Sequence, residues 1–191
     1  MSDVYKRTDI GTVPVNCVDF KDYIKLPQVV TADDSLITTL LSTATDWAER
    51  YTRREFRKNT YTLTFDKFPV SILLRRDPVA SITSVTYKVD DVVTTVPAAD
   101  YYLVKDVQDS RIVLNDEKEW PTDGDEINKG LLASIVATFV TEAYTCQESG
   151  NTAIQMITAR LYSERGDCTT GDAARQSGAT ALLDQFRIVR I

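Results

Sequence analysis

Asn59-Thr60-Tyr61-Thr62-Leu63-Thr64-Phe65-Asp66 is where the chain changes its period. Upstream, apolar residues recur every three or four positions. Here Tyr61, Leu63 and Phe65 alternate strictly with threonines, the pattern of a strand with one buried face. A helical pattern that gives way to a strand pattern and later returns describes an α+β chain. It has a small helical core, an inserted antiparallel β unit and a carboxyl-terminal arm.

The strand pattern continues past Asp66. Val70, Ile72 and Leu74 repeat it until Asp77-Pro78 interrupts. Ile82 falls out of phase with Val85, Tyr87 and Val89, which predicts a bulge or a late strand start near Ser84. Asp90-Asp91 reads as a hairpin turn. Tyr101 to Val104 and Arg111 to Leu114 read as a further pair. Leu131 to Thr141 is apolar on both faces, but its β-branched Ile135, Val136, Thr138, Val140 and Thr141 favour a strand over a buried helix. The β unit is thus predicted over residues 58–141.

Residues 1–57 read as an amino-terminal segment and the first core helices. Thr31-Ala32-Asp33-Asp34 has the layout of a capping box with Asp in place of Glu, predicting a helix from Thr31 to about Arg54. Its stripe is Leu36, Leu40, Trp47 and Tyr51, flanked by Ile37, Leu41, Ala44 and Ala48, and Trp47 and Tyr51 read as core packing. A shorter helix over Asp19 to Lys25 presents Phe20, Tyr23 and Ile24 before Leu26-Pro27 stops it. The cluster Arg50, Arg53, Arg54 and Arg57 ends the long helix. It reads either as a solvated, dipole-compensating helix end or as a contact for another subunit or a phosphate.

Residues 142–166 complete the core. Thr152-Ala153-Ile154-Gln155 is a capping box and Gly166 stands at a carboxyl cap, predicting a helix from Thr152 to Arg165 with Ile154, Ile157 and Leu161 inward. Residues 166–179 are small and polar and read as a flexible linker. Beyond them Leu182, Leu183, Phe186, Ile188, Val189 and Ile191 crowd together, punctuated by Arg187 and Arg190. Residues 167–191 are therefore a linker and an apolar arm that needs a covering surface. The arm either docks on another chain or packs back on its own core as a last helix.

Composition narrows the chemistry. The chain has 191 residues, 43% hydrophobic and 26% charged, an ordinary globular balance. With no histidine there is no Ser-His-Asp or Cys-His nucleophile and no His-bearing zinc site, and Cys17, Cys146 and Cys168 are too few for a four-thiolate one. They are expected as free thiols. No glycine-rich phosphate loop is present, and neither a membrane span nor a secretory signal is read. No cofactor is expected.

The net charge is -6, and residues 58–128 carry 13 acidic against 8 basic side chains. That excess disfavours general DNA binding, which comes from cations displacing phosphate counterions. It could serve solubility or let DNA slide past without sticking. The acidic run Asp116, Glu117, Glu119, Asp123, Asp125 and Glu126 does not fit an EF-hand template and reads as a solvated loop.

The order of elements carries a resemblance. A Thr-Ala-Asp-Asp-Ser helix start precedes Asp46-Trp47-Ala48-Glu49-Arg50-Tyr51-Thr52-Arg53-Arg54-Glu55-Phe56 and the Asn59 to Asp66 strand. Next come Phe68-Pro69, Asp77-Pro78-Val79, Ile82 to Tyr87, Tyr101-Tyr102 and Trp120-Pro121. Leu161-Tyr162-Ser163-Glu164-Arg165 and a short Leu-Leu-x-x-Phe-Arg end follow. Over roughly residues 18 to 191 this resembles the head-to-tail connector family of tailed bacteriophages, also called adaptor or head-completion proteins. It departs from that family at Ala143-Tyr144, where a glycine usually precedes the aromatic.

The resemblance implies a non-enzymatic virion protein of the neck, assembled in the host cytoplasm. Copies matching the portal's twelvefold symmetry would form a ring beneath the portal, linking it to a stopper or tail-completion protein, with DNA passing through the lumen without sequence-specific binding. Leu182, Leu183, Phe186, Arg187, Ile188, Val189, Arg190 and Ile191 would be the portal-docking arm. A tail-completion or minor head protein built from the same parts is the alternative.

Overall fold

The computed structural model describes residues 4–89, 92–106, 110–121, 135–144, 148–165 and 167–188. The chain divides into a β unit, Met1–Gly11 with Lys58–Ala143, and a helical unit, Thr12–Arg57 with Tyr144–Ile191. The fold is α+β, as the change of period predicts.

In the β unit, strands β1 (Val4–Asp9), β2 (Thr60–Phe65), β3 (Ile72–Leu74), β4 (Val79–Val89), β5 (Val92–Thr95), β6 (Tyr101–Val104), β7 (Ser110–Leu114) and β8 (Ile135–Thr141) make two sheets. One is five-stranded in the order β1-β2-β8-β4-β5, the other three-stranded in the order β3-β7-β6. All pairs are antiparallel. The alternation in β2 does what it predicts: Tyr61, Leu63 and Phe65 are buried and the threonines between them are half-exposed.

Across the ladder Tyr61 faces Phe139 and their rings stack with centroids 5.7 Å apart. Leu63, Ile72, Leu74, Val85, Ile112, Ile135, Ala137 and Phe139 have no exposed surface. Each large side chain so buried contributes about 1.5–3 kcal/mol. The register of β4 against β8 shifts between Ile82 and Ser84, the bulge that the phase break announces, and again between Val79 and Ser81.

Other parts of the β unit differ from the sequence reading. Val70 lies outside β3 and is 95% exposed. Residues 4–9 belong to the sheet and not to the helical core, because Val4 to Arg7 pair with Thr64 to Tyr61. Tyr5 fixes β1 from the side: its hydroxyl donates to the Leu73 carbonyl at 3.0 Å and accepts from the Arg75 amide at 3.2 Å. Gly11 then passes so close to Lys58 that a Cβ there would lie 2.1 Å from the Lys58 carbonyl oxygen, a passage that requires glycine. The Asp90-Asp91 turn and residues 131–134 lie outside the described residues.

The helical unit holds α1 (Cys17–Tyr23), α2 (Asp34–Thr52), α3 (Glu148–Glu164), α4 (Thr170–Gln176) and α5 (Ala179–Asp184). Its core draws Ile37, Leu41, Ala44 and Ala48 from α2, Ala153, Ile154, Ile157 and Leu161 from α3, and Ala173, Ala174, Ala179 and Leu183 from the last two helices. The α2 stripe is thus centred on the row that the sequence reading placed at its flank. Leu36 is 38% exposed, whereas Trp47 and Tyr51 pack against the core and stack on each other at 4.9 Å.

Capping is where local sequence misled. At the start of α2 the cap is Asp33, with no side-chain capping bond, so the expected Thr31 box does not form. α3 begins at Glu148, and Thr152 sits inside it, its hydroxyl donating back to the Glu148 carbonyl at 2.8 Å. The real capping box is Thr169-Thr170-Gly171-Asp172: the Thr169 hydroxyl donates to the Asp172 carboxylate at 2.6 Å and accepts from the Asp172 amide at 3.2 Å. The stretch read as a flexible linker therefore holds a helix, α4, and α5 follows it directly after Gly178, whose φ of 80° favours glycine. Its small side chains are buried because small side chains permit close helix approach.

Thr169→Ala is expected to destabilise the helical unit by about 0.5–2 kcal/mol, as loss of a cap does. Thr152→Ala is expected to leave stability unchanged within about 0.5 kcal/mol. Urea denaturation of the two variants measures both.

Candidate functional site

The arginines that end α2 do not form one cationic surface. Arg57 is buried, and its guanidinium holds three oxygens: Glu49 Oε1 at 3.2 Å, Glu49 Oε2 at 2.8 Å and an Asp46 carboxylate oxygen. Glu49 also accepts the Phe56 amide at 3.1 Å. Burial pulls the Arg57 pKa down, but Glu49 and then Asp46 outweigh it and the guanidinium stays protonated. Arg57 is an internal counter-ion, which matches neither the solvated helix end nor the subunit or phosphate contact read for the cluster. Its sequence neighbours hid this, since the acids that claim it, Glu49 and Asp46, lie eight and eleven residues back, on α2.

Arg54 is half-buried. Its Nε donates to the Phe186 carbonyl at 2.8 Å and its guanidinium lies 4.5 Å from the Tyr144 ring centre. Tyr144 in turn meets Phe186 edge-on at 5.9 Å. Arg50 and Arg53 are exposed, Arg53 closing α2 in the left-handed conformation with φ 60°.

The carboxyl-terminal segment is covered by its own chain. Leu183, Phe186 and Ile188 are buried and Leu182 is partly buried, so these apolar side chains are packed against their own chain and not left uncovered. The backbone is held as well, since the Ile188 amide donates to the Thr52 carbonyl at 2.9 Å. Arg187 remains exposed, its guanidinium 5.0 Å from the Tyr51 ring centre. Val189, Arg190 and Ile191 lie outside the described residues. Of the arginines in this part of the chain, Arg50, Arg53 and Arg187 are thus the exposed ones, and Arg187 belongs to the seated segment itself.

Two tyrosine–carboxylate pairs close the helical unit at long sequence distance. Tyr51 donates to Asp184 at 2.6 Å and Tyr162 to Asp33 at 2.5 Å. Each has an arginine over its ring, Arg187 and Arg165 respectively, the latter also pairing with Asp33 at 3.2 Å. The hydrogen bond to Asp184, then burial, pushes the Tyr51 phenol up, and Asp33 and then burial do the same to Tyr162. No local signal marks these pairs, because their members stand 133 and 129 residues apart.

Among the described residues no group of three His, Cys, Asp or Glu is placed to hold a metal ion, and no helix is long and apolar enough to cross a membrane. Cys17 and Cys168 are free; Cys146 lies outside the described residues. Of the acidic run, Asp116, Glu117 and Glu119 are exposed, while Trp120 between them and the rest of the run is buried against Phe68 at 4.9 Å. Asp123, Asp125 and Glu126 lie outside the described residues.

Arg57→Met is expected to cost about 3–5 kcal/mol in chemical denaturation, because it leaves the Glu49 carboxylate buried without its cation. The tyrosine pairs set an alkaline limit. Their raised pKa values mean that the folded chain keeps phenolic protons the unfolded chain releases, so this stability is complete below 10.0, the ordinary tyrosine value, and is lost as pH rises above it. The melting temperature should fall through that range, and less steeply in Tyr51→Phe/Tyr162→Phe.

No family model and no curated protein matches the sequence. Solved structures do resemble the fold. A chain in the neck of an empty gene transfer agent particle, determined with C6 symmetry, superposes with a TM-score of 0.74 at 22% identity over 98% of this chain and 97% of that one. A chain in the virion of the native gene transfer agent gives 0.76 at 22% identity, over 98% and 97%. One in the neck of the native particle, with C12 symmetry, gives 0.69 at 22% identity, over 97% of each. At this identity the likeness establishes a shared fold, extending through both units.

Proposed function

We propose that the chain is a structural protein of the virion neck, a head-to-tail connector that forms a ring, of twelve copies, beneath the portal. The observation that carries this reading is a fold likeness spanning 97% of the chain or more to chains in particles described as necks with C6 and C12 symmetry. The element order that resembles connector proteins supports it independently. The protein joins the portal to a stopper or tail-completion protein and assembles in the host cytoplasm. It works as a scaffold without catalysis. DNA passes through its lumen without sequence-specific contact, which suits a chain whose net charge is -6.

Portal contact is the role of the carboxyl-terminal end, Leu182 to Ile191. The seated apolar side chains shape this surface, and the exposed cations Arg50, Arg53 and Arg187 give it charge. Such rim charges steer encounter and fix register with an acidic partner. Purified chain should co-sediment with portal rings. Changing Arg50, Arg53 and Arg187 together to Glu should weaken that capture at least about tenfold, as loss of several rim contacts does, with the melting temperature retained. Equal capture by the charge-reversed variant would reject this surface; no capture of the parent chain would reject the connector reading.

A further inference from the structure

The five-stranded sheet ends in two unlike edges. β1 closes one side and β5 the other. β5, Val92-Val93-Thr94-Thr95, is exposed at every position, with Val92 at 64% and Val93 at 66%. Natural proteins blunt open edges with charge, proline or a covering element. β5 contains neither charge nor proline and consists wholly of strong strand formers. β1 is different in chemistry, carrying Lys6 and Arg7. Among the described residues neither edge has a strand beyond it.

Strand direction decides what such edges can join. From β1 to β5 the sheet makes four antiparallel steps, an even number, so β1 and β5 run the same way. A twofold axis would bring like edges together in antiparallel pairs. Rotation about a ring axis keeps the direction of every strand and brings unlike edges together, the heterologous contact that a closed ring requires.

We propose that copies of this chain assemble by continuing the sheet, with β5 of one subunit pairing in parallel with β1 of the next. This inference rests on the ring reading above and names its contact. The occupant of each edge is a second copy: the opposite edge of the same sheet runs in the right direction for it. Main-chain hydrogen bonds would supply the contact, and the exposed valines of β5 would be covered by it.

Hydrogen exchange on the full chain, before and after assembly on portal rings, tests the contact without any substitution. Amides within Val4–Asp9 and Val92–Thr95 that point outward should slow at least about tenfold on assembly. Val93→Lys places a charge on the open edge; it should keep the parent melting temperature and reduce the assembled fraction at least about tenfold. Val93→Thr should assemble like the parent. Rings in which both edge strands exchange at their unassembled rates, or in which Val93→Lys assembles like the parent, overturn the sheet contact and leave the ring standing. If the parent chain forms no ring at all, the contact and the ring reading fall together.

Discussion

The pairing of β2 with β8 is the constraint on which the β unit depends. β8 lies at the centre of the five-stranded sheet, and its register against β2 is set at one end by a buried knot. The Asn59 amide donates to the Thr141 hydroxyl at 3.0 Å, the Thr141 amide to the Asn59 carbonyl at 2.8 Å, and the Asn59 side chain accepts the Gly11 amide at 3.1 Å. A slip of β2 by one residue would turn Tyr61, Leu63 and Phe65 outward and its threonines inward. Because Asn59 and Thr141 are buried, any such slip would also strand their polar groups without partners. Apolar alternation chooses the face; the buried hydrogen bonds choose the register.

In the helical unit the equivalent role is shared by a buried charge and by packing. Arg57 neutralises Glu49 where α2 hands over to the following segment. Buried ion pairs of this kind add little net stability compared with an apolar replacement, but they punish alternative arrangements that separate the charges. Alanines at the contacts of α4 and α5 let these short helices sit close to the core. Neither helix reaches the length at which an isolated helix is stable, so both depend on that packing.

Much of this was legible. The alternation at Tyr61 to Phe65, the pair Tyr101–Val104 with Ser110–Leu114, the phase break near Ser84 and the long α2 stripe all follow from periodicity, which burial enforces directly. What was not legible depends on distant partners. β1 has only Val4 and Tyr5 as apolar residues and becomes a strand because β2 offers it an edge. Thr152 matches a capping box as well as Thr169 does, and only tertiary structure decides which one stands at a helix start. The seated carboxyl end was readable as apolar but not as self-covered, since Phe186 and Ile188 meet residues of α2 and Tyr144 far away in sequence. The arginine cluster looked uniform, yet burial separates Arg57 and Arg54 from Arg50 and Arg53.

The split composition of the β unit has a consequence for biosynthesis. β1 is made before α1 and α2, and its neighbour in the sheet, β2, only after them; β8, which sits between β2 and β4, is the last strand among the described residues. β1 therefore waits as an unsatisfied edge until β2 is made. Loop-closure entropy delays such non-local pairing. Nascent chains of this protein thus carry bare strand edges until β8 has been made, so vulnerability to premature association is greatest before that point.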